Sequence, residues 1–397
     1  MFKKSLAALA IGAAFTGSAF AADVTLYGIL DTGLVYLHES EHDVYGDKTN
    51  ENSFTEQSGY GTTSRWGIKG TEELGNGMTV GFVLENGFEV DNGSSDNGGR
   101  LFGREASLTL AGNFGQISFG RMGGVGSSAG TYDLVFATAE VFDGGDYNVW
   151  GVAHSGRYDN MLTYQTPEFA GLQATFQYSF DTDSQDDTTT GREGSSHVDR
   201  YASAALTGNY GKLQLVAAAE WMNWDSETLY DAGTRVNDKR ADKDGQIYYL
   251  GGNYDCGFAK TFFLAQYFKG QKVAASDYDL WGSDSLIGED VVQQTDGAEG
   301  YGLHVGTIFN ALAGEWTVGL YYVDGKLKNT YVNNEAEDID INYMGVSGRY
   351  TYYLSKRTSL YLGAGFSQTK LDTSVIKPAH DYKYQVTQVY TGITHTF

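Results

Sequence analysis

Residues 170–180 read AGLQATFQYSF. Leu172, Ala174, Phe176, Tyr178 and Phe180 alternate with Gln173, Thr175, Gln177 and Ser179. A period of two sends successive side chains to opposite faces of a strand. One face here is apolar and the other polar. The same reading holds along the chain. In 212–221 Leu213, Leu215, Ala217, Ala219 and Trp221 share a face, with Gln214 and Glu220 opposite. In 315–322 Trp316, Val318, Leu320 and Tyr322 align, and in 358–366 Leu360, Leu362, Ala364 and Phe366 do.

Such strands have two physical outlets. A soluble sandwich turns the apolar face inward. A transmembrane barrel turns it outward to lipid and keeps the polar face in a wet lumen. The second is favoured by strand length, since a tilted bilayer-crossing strand needs about 9–11 residues. Aromatics recur at strand ends, where a girdle meets the headgroups. Connections also alternate in length. Short ones are 74–77, 113–115, 166–171, 208–211, 253–258, 310–315 and 354–358. Long polar ones fall at 38–62, 182–199, 225–245, 271–298 and 327–339. The pattern predicts short periplasmic turns, long external loops and strands starting near 23, 63, 77, 101, 115, 157, 170, 200, 212, 246, 258, 299, 314, 340, 358 and 385. The fold expected is all-β: a 16-stranded antiparallel transmembrane β-barrel. An even strand number brings both termini to one rim and removes sheet edges. A barrel of about 16 strands leaves an aqueous channel, whereas about eight fills its own interior.

Composition bounds the rest. The 397 residues hold 53 Gly, 29 Tyr and 21 Phe but 2 Pro and 1 Cys. Pro167 and Pro378 fall in a turn and a loop, and lone Cys256 makes no intrachain bridge. Residues 1–21 carry Lys3 and Lys4, an apolar run and Ala19-Phe20-Ala21. That is the pattern of a secretory signal peptide, with cleavage expected between Ala21 and Ala22 and one barrel domain over 22–397. The net charge is −23, or −25 without Lys3 and Lys4. So acidic a chain is not built for nucleic acid.

Six stretches together carry a resemblance: DVTLYGILDTGL (23–34), SRWGIKGTEELGNG (64–77), FGREASLTLAGNFGQISFGRM (102–122), RYDNMLTYQTPEFAGL (157–172), YYLSKRTSLY (352–361) and TGITHTF (391–397). In this order they resemble the Gram-negative general porins, the trimeric 16-strand outer-membrane type of proteobacteria. The resemblance implies passive diffusion of small hydrophilic solutes and ions, a homotrimer in outer-membrane lipid beside lipopolysaccharide, and no catalysis or cofactor. It implies that the third long connection, 122–155, folds into the barrel. That segment is glycine-rich and carries Asp133, Glu140, Asp143 and Asp146, expected to form an acidic wall. Arg65, Arg104 and Arg157 match the family's arginine cluster on the opposite wall. Lys69 shares strand parity with Arg65, and Arg121 sits where strand passes into loop. Plain alternation puts Arg104 beside Ala106 and Leu108, so a bulge or the strand's end has to turn it inward. Asp31 and Glu85 are expected in the lumen. Phe397, the last residue, is expected to be a signal for the barrel-assembly machinery.

Facing charge walls align polar solutes and replace part of their hydration. The acidic mouths predict a modest cation preference. DTDSQDD (181–187) and EAEDID (335–340) are candidates for sharing Ca²⁺ or Mg²⁺ with lipopolysaccharide, against a merely solvated loop. No metal-ligand spacing is present. His38, His42, His154, His197, His304, His380 and His395 are scattered, and adjacent His154 and Ser155 make a poor catalytic pair. The closer rivals are a channel specific for a sugar, phosphate or peptide, and a plugged structural barrel.

Overall fold

The computed structural model describes residues 23–43, 46–142, 146, 149, 151–185, 192–195, 198–224, 229–231, 234–236, 244–271, 296–332, 335–372 and 380–397. Residues 1–22, with the expected cleavage site at Ala21 and Ala22, lie outside them, as does Asp143.

The strands are β1 (Asp23–His42), β2 in two segments (Lys48–Ser58 and Arg65–Gly75), β3 (Met78–Gly87), β4 (Glu105–Gly112) and β5 (Gly115–Gly123). After a long connection come β6 (Arg157–Gln165), β7 (Leu172–Ser179), β8 (Arg200–Tyr210), β9 (Leu213–Asn223), β10 (Gly245–Asp255) and β11 (Ala259–Gln271). The last are β12 (Ala298–Ala311), β13 (Gly314–Val332), β14 (Glu335–Tyr353), β15 (Thr358–Asp372) and β16 (Tyr382–Thr396). Each pairs antiparallel with its neighbours, and β1 closes on β16 from Ile29↔Thr396 to His42↔Lys383. The result is a closed 16-strand barrel. Every strand then has two ladder partners, which satisfies the backbone in lipid.

The alternation emerges as a sidedness. Phe176 is 49% exposed on the outer surface, whereas its neighbour Gln177 is 4% exposed inside. Leu206, Trp221, Leu250, Leu320 and Leu362 continue the outer apolar surface.

Two expected loops are corrected. Within 38–62, β1 runs on to His42 and Lys48–Ser58 pairs with it from Thr32↔Ser58 to His42↔Lys48. Within 327–339, β13 reaches Val332 and β14 begins at Glu335, not near 340. In both hairpins the faces of the strand above the bilayer are wet, so the ladder persists while the hydropathy alternation vanishes. Conversely, β4 begins at Glu105, later than the expected 101, where Asn86 Nδ2 instead donates to the carbonyls of Arg100 and Leu101.

Two segments fill the interior. Residues 59–64, between the halves of β2, bend inward and bury Tyr60. The β5–β6 connection also enters the barrel, carrying a single helical turn, α1 (Phe136–Ala139). Val125, Phe136, Ala139, Val141, Phe142 and Val149 pack on Ile247, Tyr249, Leu264, Tyr321 and Tyr343 of the wall. Wall glycines make the room. A Cβ on Gly306 would come within 2.5 Å of Val141, and one on Gly365 within 2.6 Å of Val149.

Candidate pore constriction

The basic residues gather where β2, β5, β6 and the β3–β4 connection meet. Arg65 is the first residue after the inward bend. Its Nε donates to Thr63 O at 2.9 Å and its Nη2 to Thr62 Oγ1 at 3.1 Å. Lys69 lies further along that strand, its ammonium 5.0 Å from the Tyr27 ring centre. Arg104 sits one residue before β4, outside its alternation. Its N–H donates to Glu85 O, and its Nε pairs with Glu85 Oε1 at 2.7 Å. The strand's end is therefore what turns it inward. Glu85 also accepts from the Tyr27 hydroxyl at 2.9 Å.

Arg121 donates to Gly103 O at 2.8 Å and to Asp159 Oδ1 at 2.7 Å. Arg157 donates to Asn97 Oδ1 at 3.1 Å and lies within electrostatic reach of Arg104, Arg121 and Arg65. Its Nε is buried with no hydrogen-bond partner. Arg100 joins the group, reaching both oxygens of Asp159 at 2.9 and 2.8 Å and pairing with Asp183.

The carboxylates of the infolded loop have a different setting. Asp133 accepts from the N–H groups of Phe136 and Ala137, each at 3.2 Å, and so starts α1. Glu140 accepts from Phe142 N–H at 3.0 Å and from the Tyr321 hydroxyl at 2.5 Å, with His304 Nε2 at 3.7 Å. Asp146 accepts from Tyr390 at 2.5 Å, Gln388 at 3.1 Å and the hydroxyl of Ser347. Glu140 and Asp146 are each 1% exposed. They tie the loop to the wall of β13, β14 and β16.

Asp31 is buried at the closure seam. It accepts from Gly61 N–H and the Tyr361 hydroxyl, both at 2.9 Å, and from Thr394. It thereby holds the inward bend. That bend also meets the loop's anchors: Tyr60 donates to Gln388 Oε1 at 2.6 Å, and Arg349 donates to Gly61 O at 3.0 Å while lying 4.9 Å over the Phe142 ring.

Arg100, Glu105, Glu220 and Arg349 were not singled out from sequence. Glu105 shares the polar parity of Ser107, and Glu220 that of Gln214, so alternation carried a signal for both. Arg349 shares the face of Ser347 on the strand expected from near 340, so alternation carried a signal there too. Arg100 lies in an irregular connection and carried none. Elsewhere, Asp338 and Asp340 of the acidic segment 335–340 pair with Lys328 and Lys326.

A closed 16-strand barrel with an infolded third loop is the architecture expected from the resemblance. The model of the Gram-negative porins matches residues 5–372. The chain belongs to the Gram-negative porin family. An outer membrane porin protein of Bordetella pertussis is 31% identical to this porin over 425 residues, covering 100% of both chains. Among solved structures, an anion-selective porin from Comamonas acidovorans matches with a TM-score of 0.64 at 24% identity, covering 95% of this chain and 100% of that one. The trimer form of OmpT, an outer membrane protein of Vibrio cholerae, matches with a TM-score of 0.54 at 16% identity, covering 95% and 100%. This porin is an outer-membrane channel for the passive diffusion of solutes.

Proposed function

We propose that solutes pass between the arginine wall and the infolded loop, and that this passage favours anions. One observation carries the reading. Arg65, Arg100, Arg104, Arg121 and Arg157 gather on one wall, while Glu140 and Asp146 of the loop are buried against the other. Glu85 and Asp159 offset part of the arginine charge, while the two loop carboxylates are turned to the far wall to hold the loop. The acidic mouths pull towards cations, the preference expected from composition. Their field fades over a Debye length of about 8 Å at physiological salt, so charges at the narrow part decide selectivity.

The test is a reversal potential in a planar bilayer under a salt gradient. Wild type is expected to show the anion sign, and Arg157→Gln to move towards the cation sign. A cation sign in wild type would overturn the reading. A small current blocked by one solute would point to a substrate-specific channel.

The porin assembles as a homotrimer through the seam side of the barrel. This is supported by the outward Leu26, which is 62% exposed, by Leu30 and Ile393, exposed further along the same outer surface, and by the trimer form of a structural neighbour. Leu26→Cys is expected to cross-link subunits in membranes, and failure to do so would move the interface elsewhere. Phe397 serves as the signal for the barrel-assembly machinery. Its backbone bonds Gly28 at 3.0 and 3.2 Å and its side chain is exposed. Deleting Phe397 should cut membrane-assembled protein more than it slows refolding in detergent. Residues 1–21 act as a cleaved signal peptide, and an N-terminus other than Ala22 would refute that.

A further inference from the structure

We infer that Glu220 is the positioning residue that fixes the root of the infolded loop and so sets the constriction. The inference rests on the proposed passage between loop and arginine wall. Glu220 lies on the inner face of β9 with no exposed surface. Its Oε1 accepts from Gly126 N–H at 2.9 Å and from Ser155 Oγ at 2.8 Å. One oxygen thus grips both the entering and the leaving leg of the loop. The same oxygen accepts from Tyr201 at 2.6 Å, and Oε2 accepts from Tyr249 at 2.9 Å. A carboxyl group offers enough lone pairs on its two oxygens for four converging donors, three of them on Oε1.

The legs are also tied to each other. Gly124 N–H donates to Gly156 O and Ser155 N–H to Gly126 O, each at 3.0 Å. Glu220 therefore holds a paired stem rather than one strand of it. The approach is close: a Cβ on Gly126 would lie 2.5 Å from the Tyr249 hydroxyl and 2.8 Å from Glu220. The stem continues directly into the basic wall. Arg157 follows Ser155 by two residues, and Arg121 precedes Gly126 by five. Moving the stem moves both arginines with the loop. Glu140 and Asp146 fasten the loop further along, to Tyr321 and Tyr390.

The test is single-channel recording of full-length Glu220→Ala and Glu220→Gln beside wild type. Heat-modifiable migration on gels serves as the check that each barrel has folded. Glu220→Ala is expected to raise open-channel current noise several-fold and to shift both mean conductance and reversal potential. Glu220→Gln keeps a carbonyl where three donors meet and is expected to restore most of the wild-type trace. A folded Glu220→Ala with wild-type noise, conductance and reversal potential would overturn the inference, as would a Gln variant disturbed as much as Ala. Should Glu220→Ala fail to fold, Ser155→Ala decides. It removes one leg's donor and should raise noise in the same direction, and a silent trace change would overturn the inference. A cation-selective wild type whose trace still responds to Glu220→Ala would sink the anion reading alone.

Discussion

Arg104 and Glu85 meet at 2.7 Å with both side chains buried, so each is the condition for burying the other. Removing one partner of such a pair costs about 3–5 kcal/mol, because the remaining charge stays desolvated. Arg104→Gln should lower unfolding free energy in urea titrations by that order, and Glu85→Gln with Arg104→Gln should recover most of it. Asp146 carries a pH dependence. Burial pushes its carboxyl up to about 6, Arg349 and the Tyr390 hydrogen bond work the other way, and Glu140 adds to the rise. Its folded value thus exceeds the unfolded 3.8, and ionisation works against docking. The contribution is complete below the unfolded value and is lost as pH rises through about 6. Hydrogen exchange of the loop amides, corrected for intrinsic rates, should be slower in mildly acidic than in neutral buffer. Asp146→Asn should abolish the difference. The residues of this site were legible to different degrees. Arg65, Arg104 and Arg157 fall in stretches whose order marked them, whereas Arg121, where strand passes into loop, had no readable direction. The direction in which Glu140 and Asp146 point depends on Tyr321 and Tyr390, about 180 and 240 residues away in sequence, which no local pattern encodes.

At the scale of strands, the bilayer does the writing. Where a strand crosses lipid, one face must be apolar, and Leu172 to Phe180 spell that out. Leu250 stands at mid-strand on the outer face of β10. Leu250→Arg should destabilise the folded barrel by about 2–4 kcal/mol in vesicles, the cost of a cation near the bilayer midplane. Arginine at inward Gln177 meets a polar interior and should cost less. Most of the strand starts could be read this way because turns and alternation coincide there. The outer half of β2 could not. Lys48–Ser58 is KTNENSFTEQS, polar on both faces, and only its pairing with β1 makes it a strand. The inward bend at 59–64 was equally hidden, since its reason for turning in is Asp31 on one side and Gln388 on the other.

Across the whole molecule, the ladder that closes the barrel joins its first and last strands. Ile29 pairs with Thr396, and the seam runs on to His42 and Lys383. Its partners have nearly the greatest sequence separation the chain allows. Closing so long a loop must precede any return from the contacts it brings together, and high contact order slows folding. Until β16 is made, β1 has an unsatisfied edge, and so has every partial sheet. A chain cut short by one strand therefore does not yield a slightly smaller channel. It yields an open ribbon with two sticky margins. The fold is complete only when β16 meets β1, and the unclosed polypeptide depends on being shielded until the seam is shut.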